Sequence, residues 1–129
     1  MSDAIKHECG IAIIRLLKPL EYYHQKYGTW QWGMNKLYLL MEKQHNRGQD
    51  GAGAVCIKTD MQPGVKYINR YRSVRINPIQ HIFEQINDNL KRSIEADETC
   101  LHDCQTAKTN VDFAGEVYMG HLRYGTFGK

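Results

Sequence analysis

Long apolar runs are missing from this chain. The best of them, Ile11 to Leu17, is interrupted by Arg15 and falls far short of the ~20 residues that cross a bilayer as a helix. The opening stretch MSDAIKHE carries Asp3 and Glu8 where a signal peptide would carry its apolar core. A membrane partner and a secretory leader are therefore not expected. Cysteine is sparse and irregular: Cys9, Cys56, Cys100 and Cys104 follow none of the spacings of a small secreted disulfide scaffold. Together these absences point to a reducing, cytoplasmic setting. An excess of one charge is missing as well, since 17 Lys and Arg stand against 14 Asp and Glu for a formal +3. That balance is too even to imply nucleic acid as a partner. One segment is locally basic, with Lys66, Arg70, Arg72 and Arg75 interleaved with Tyr67 and Tyr71. Such a pattern can follow a phosphate backbone with bases stacked on the rings, but it reads first as a strand with one solvated face. Internal repeats and low-complexity tracts are also absent.

What remains is ordinary globular material. Of the 129 residues, 42% are apolar and 24% charged, which suits one domain with a core of its own and leaves no room for two. Cys9 to Leu17 reads as a short buried strand that begins at the cysteine. Lys18 to Gly33, punctuated by Pro19, Gly28 and Gly33, reads as a loop or short helix. Met34, Leu37, Tyr38, Leu40 and Met41 recur at helical steps and predict a helix over 34–45. NRGQDGAG, with glycine at 48, 51 and 53, breaks that helix and turns the chain. Ala54 to Lys58 and Val65 to Val74 predict a hairpin. Ile79, Ile82, Phe83, Ile86, Leu90 and Ile94 predict a second helix, with Asn77 as N-cap and Pro78 in its first turn. Glu95 to Asp112 lacks periodicity and reads as a surface loop; Val117 to Arg123 returns to strand.

Three segments place glycine beside a reactive or charged residue: Cys9-Gly-Ile, Arg47-Gly-Gln-Asp-Gly-Ala-Gly53, and Gly120-His-Leu-Arg-Tyr-Gly-Thr126. Taken singly, each is turn chemistry. In this order they resemble the class II glutamine amidotransferases of the N-terminal nucleophile hydrolase family, and RGQDGAG resembles the amidophosphoribosyltransferase branch of that class. The likeness runs from Cys9 to Gly128.

The resemblance implies a four-layer αββα sandwich, an α+β fold, incomplete at the C-terminus. It implies residues 1–8 as a propeptide and residues 9–129 as a partial, truncated amidotransferase domain. Cys9 would be the nucleophile, exposed as a mature N-terminus. Its own α-amino group would be the base, since such an amine titrates near pH ~7.7 and is an amide while Glu8 is attached. Arg123 would grip the α-carboxylate of L-glutamine through two parallel hydrogen bonds. Thr126 would add a second substrate contact, and Arg47 with Gly48 would shape the floor. Gln49 and Asp50 fit better as residues that hold the turn, and His121 as a packed residue or an orienter. The activity implied is glutamine hydrolysis, with the ammonia going to phosphoribosyl pyrophosphate to form 5-phosphoribosylamine for purine synthesis.

The departures are specific. Asn46 separates His45 from Arg47, which puts His45 in doubt as an equivalent. Cys100, His102 and Cys104 crowd three ligand types into five residues and match no common zinc spacing, so no metal is assigned. The family's Asn-Gly oxyanion donors and its later Asp fall beyond Lys129. Loss of one oxyanion donor costs on the order of a hundredfold in rate, so this chain alone is expected to be nearly inactive. The phosphoribosyltransferase domain, with its magnesium, is absent from the chain, and the full-length enzyme is expected to be a homo-oligomer. Two other readings stay open: a glutaminase serving another acceptor such as a sugar phosphate, and a noncatalytic domain whose strand edges pair with another chain.

Overall fold

The computed structural model describes residues 9–45 and 50–124. Its elements run β1 (Gly10–Arg15), α1 (Leu20–Tyr27), α2 (Trp32–Lys43), β2 (Gly51–Ile57), β3 (Ile68–Ser73), α3 (Pro78–Ala96), a 3-10 turn (Glu98–Leu101), α4 (Cys104–Asn110) and β4 (Val117–Arg123). The four strands form one antiparallel sheet in the order β1-β4-β2-β3. The fold is therefore mixed α+β.

Strand alternation assigns the two faces. Ala12, Ala52, Ala54, Cys56, Tyr118 and Leu122 point to one side and are buried. Helix α2 lies over β1 and β4 on that side, and α3 over β2 and β3. Helix α2 contributes Met34, Leu37 and Met41; α3 contributes Ile79, Ile82, Phe83 and Ile86, spaced to make one apolar stripe. Small residues on the sheet let the helices sit close. At Gly120, a Cβ would come within 2.6 Å of Met41 Sδ, so the absent side chain is what admits the methionine. Helix α1 ends where Gly28 adopts φ 83°, its N–H donating to His24 O at 2.9 Å.

Several sequence expectations shift. Strand β2 begins at Gly51, three residues before the predicted start, because pairing with β3 and β4 on both sides offsets the low strand preference of Gly51 and Gly53. Tyr38 and Leu40 fall off the buried stripe of α2 and are exposed. Asn77 precedes α3 but sits at φ 58° and makes no side-chain cap. The expected surface loop over 95–112 is the largest correction, since it holds the 3-10 turn and α4. Asp97 accepts from Thr99 N, and Asp103 from Gln105 N and Thr106 N, so each caps its own turn. Trp30, fully buried, donates from Nε1 to Cys100 O at 2.7 Å and holds this segment to the core.

A buried polar clasp fixes α4 to the sheet. Lys108 Nζ lies 2.7 Å from Glu116 Oε2 and donates to Thr59 O at 2.7 Å, while Thr59 N donates to Glu116 Oε1 at 2.9 Å. Lys58 donates to the carbonyls of Lys108 and Val111. Every charge in the clasp has a partner, which burial demands.

Candidate functional site

The face of the sheet that the helices leave uncovered carries the described candidate residues. Register sets it out: Gly10 pairs with Leu122, and Gly51 pairs with Arg123. Cys9, one residue ahead of Gly10, thus stands at the level of Arg123 at the same end of the sheet. Gly10 and Leu122 point into the core, so Cys9 and Arg123 belong to the opposite face, and both are exposed. Two segments separated by more than a hundred residues are thus brought to the same end of the sheet. His121 shares that face, opposite Ile11 on β1 and Gly53 on β2.

The start of β1 is held from behind. Gln44, at the end of α2, donates from Nε2 to Ile11 O at 3.2 Å, and its side chain occupies the space a Cβ at residue 10 would need. Glycine at 10 thus lets the helix end pin the backbone next to Cys9. Asp50 N donates to Arg123 O at 3.1 Å and ties down the end of β4 at the same level. Neither role was visible from composition; only the Gly beside Cys9 hinted at a close approach.

Beside this arrangement runs a groove of about 720 Å³, floored by Gly51 and Gly53 and walled by Arg70 and Arg72 on β3 and by His121 and Arg123 on β4. A Cβ on Gly51 would lie 3.4 Å from Arg123 Nε, and one on Gly53 3.7 Å from Arg72 Cγ. The two glycines leave the groove open down to the backbone. No acidic residue is among the described residues that line it. Arg70 and Arg72 read in the sequence as a solvated strand face; only the strand order shows that they look across glycine toward β4.

The four cysteines divide sharply. Burial pushes the Cys56 thiol up to about 12 and the Cys104 thiol up to about 11, and it raises Cys100 as well. Cys100 and Cys104 are packed in the core while His102 is exposed, so the three do not converge as ligands. Among the described residues no three His, Cys, Asp or Glu come together to hold a metal ion. The magnesium that the resemblance implies belongs to the phosphoribosyltransferase domain, and no residue here is assigned to it.

Arg47, Gly48 and Thr126 lie outside the described residues, as do Gln49 and the propeptide segment 1–8. His45 donates from Nδ1 to Glu42 O at 2.8 Å, closing the end of α2. No helix among the described residues is long and apolar enough to cross a membrane. Comparison with protein-family models, curated proteins and solved structures finds no match to this chain.

Proposed function

We propose that the chain is the glutaminase part of a class II glutamine amidotransferase. The observation that carries this is the juxtaposition of Cys9 and Arg123 on the exposed face at one end of the sheet. A clamp for the α-carboxylate of glutamine must stand about one side-chain length from the nucleophile that attacks its amide, and neighbouring strands ~4.8 Å apart provide that scale. In this reading the freed α-amine of Cys9 takes the thiol proton and the thiolate attacks the glutamine Cδ. The C–N bond then breaks, and the nitrogen takes up that proton as ammonia leaves. Water hydrolyses the resulting thioester, giving glutamate and restoring the thiol.

The finer fold belongs to the same proposal. Ile11 and Ile13 are 65% and 60% exposed on the uncovered face, and Val55, Val117 and Met119 share it. An apolar sheet face of this kind is what a second sheet covers in an αββα sandwich. Delivery of the ammonia to phosphoribosyl pyrophosphate, in an enzyme with a separate phosphoribosyltransferase domain, rests on the RGQDGAG motif.

The test is an electrophilic glutamine analogue applied to the chain with Cys9 freed as its N-terminus. We expect modification of Cys9, slowed by excess L-glutamine, and none in Cys9→Ala. Modification of Cys56 or Cys100, or labelling that glutamine does not slow, overturns the assignment. Arg123→Lys should weaken glutamine protection about tenfold or more, because an ammonium lacks the guanidinium fork.

A further inference from the structure

We propose that the groove on the side of Arg123 away from Cys9 is a phosphate-binding site, with Arg70 and Arg72 as its principal cations. The inference goes beyond the glutaminase reading, which uses neither arginine. Strand order places the two functions on opposite flanks of β4: β1 with Cys9 on one side, β2 and then β3 on the other. Arg123 stands between the two flanks with its guanidinium over Gly51, so a glutamine it holds meets the edge of the groove, while Arg70 and Arg72 lie beyond it on the β2–β3 flank.

The chemistry of that flank is narrow. Arg70 and Arg72 are two residues apart on one strand, so their side chains leave the same face about 7 Å from each other. Both are exposed, and among the described residues neither pairs with a carboxylate. Arg72 lies along Gly53, and Arg123 closes the diagonal over Gly51. Three guanidiniums around one trough repel one another unless an anion sits among them. The backbone of β2 is paired on both edges, to β3 and to β4, so its amides do not donate to a ligand and recognition falls to the side chains. A carboxylate has two oxygens and is satisfied by one fork. A phosphate monoester has three terminal oxygens and can be shared by two forks at this spacing, which selects it over a carboxylate. Side chains at 51 and 53 would fill the space such an anion needs.

Inorganic phosphate is the probe. The isotope-labelled chain is titrated by NMR at constant ionic strength, with chloride as the balancing anion, following the arginine Nε–H signals and the Gly53 amide. We expect saturable shifts at Arg70, Arg72 and Gly53, and about a tenfold or greater loss of affinity in Arg70→Gln and in Arg72→Gln. Both positions are exposed, and an unchanged spectrum elsewhere confirms that each variant folds. A response linear in phosphate, or equal affinity in both variants, overturns the site. So does tight binding of a single-stranded oligonucleotide without a saturable phosphate response, which makes the face a nucleic-acid surface. The titration needs no thiol and reads the same in Cys9→Ala, so its failure is distinguishable from failure of the nucleophile assignment.

Discussion

The two faces of the sheet obey opposite rules although they are built from alternate residues of the same strands. Toward the helices stand Ala12, Ala54, Gly120 and Leu122, chosen for volume, with Met41 fitted where Gly120 has no side chain. Toward the other side stand Cys9, Arg70, Arg72, His121 and Arg123, polar and exposed, together with exposed Ile11 and Ile13. A shift of register by one residue would exchange the two sets. The core face therefore enforces the geometry of the open face, and the two should respond differently to the same kind of change.

The largest effects belong on the helix side. Trp30→Ala should cost about 3–5 kcal/mol, combining a large cavity with loss of the hydrogen bond to Cys100 O that holds the 95–112 segment. Lys108→Met should follow at about 3–5 kcal/mol, because it leaves Glu116 buried without its cation. Urea unfolding of each variant measures both. A loss under 1 kcal/mol in either would mean that α4 and its clasp are an appendage to the core.

Alkaline pH should act on the same face. The Cys56 and Cys104 thiols are raised by burial from the ordinary 9.0 to about 12 and about 11. The unfolded chain thus loses these protons first as pH rises, while the folded chain keeps them. Their contribution is complete below pH ~9 and is lost between about 9 and 12. Lys58, lowered by burial below the ordinary 10.5, works the other way in the lower part of that window. With Cys100 raised as well, three thiols against one amine give a net fall, visible as a lower urea midpoint at pH 10.5 than at pH 8. Cys56→Ala should flatten the dependence. Reactivity divides along the same line: at pH 7.5 iodoacetamide should modify exposed Cys9 in the native state and leave Cys56 and Cys104 until the chain unfolds.

This division also explains which parts of the molecule could be read from sequence. Strand β4 was legible to the residue, and α3 nearly so, because Val117–Arg123 alternates and Ile79, Ile82, Phe83 and Ile86 repeat at helical steps. Cys9 and Arg123 were legible as candidates because Gly10 adjoins the one and glycines 120 and 125 bracket the other, and the roles given to them rest on the resemblance those motifs carry. The 95–112 segment was not, since a seven-residue helix such as α4 offers no full stripe, and its burial depends on Trp30 from another element. The surroundings of Gln44, Arg70 and Arg72 were not, because helix docking and strand order set what stands beside each, and both are long-range facts.

The smallest expected effect probes the open face itself. Ile13 and Met119 face each other across β1 and β4 on the uncovered side, 60% and 38% exposed. In this chain, Ile13→Lys or Met119→Lys should change stability by no more than about 0.5 kcal/mol, since little apolar surface is withdrawn from water there. Both should also raise solubility by breaking an apolar patch. If the face is instead covered, by a second sheet or by another copy, each lysine would be buried against apolar surface without a partner. The loss would then be several-fold larger and would depend on protein concentration if a second copy were responsible. Urea unfolding at two protein concentrations separates these outcomes. A large, concentration-independent loss would show that the second layer is supplied from within the chain, and would end the contrast between a packed face and an open one.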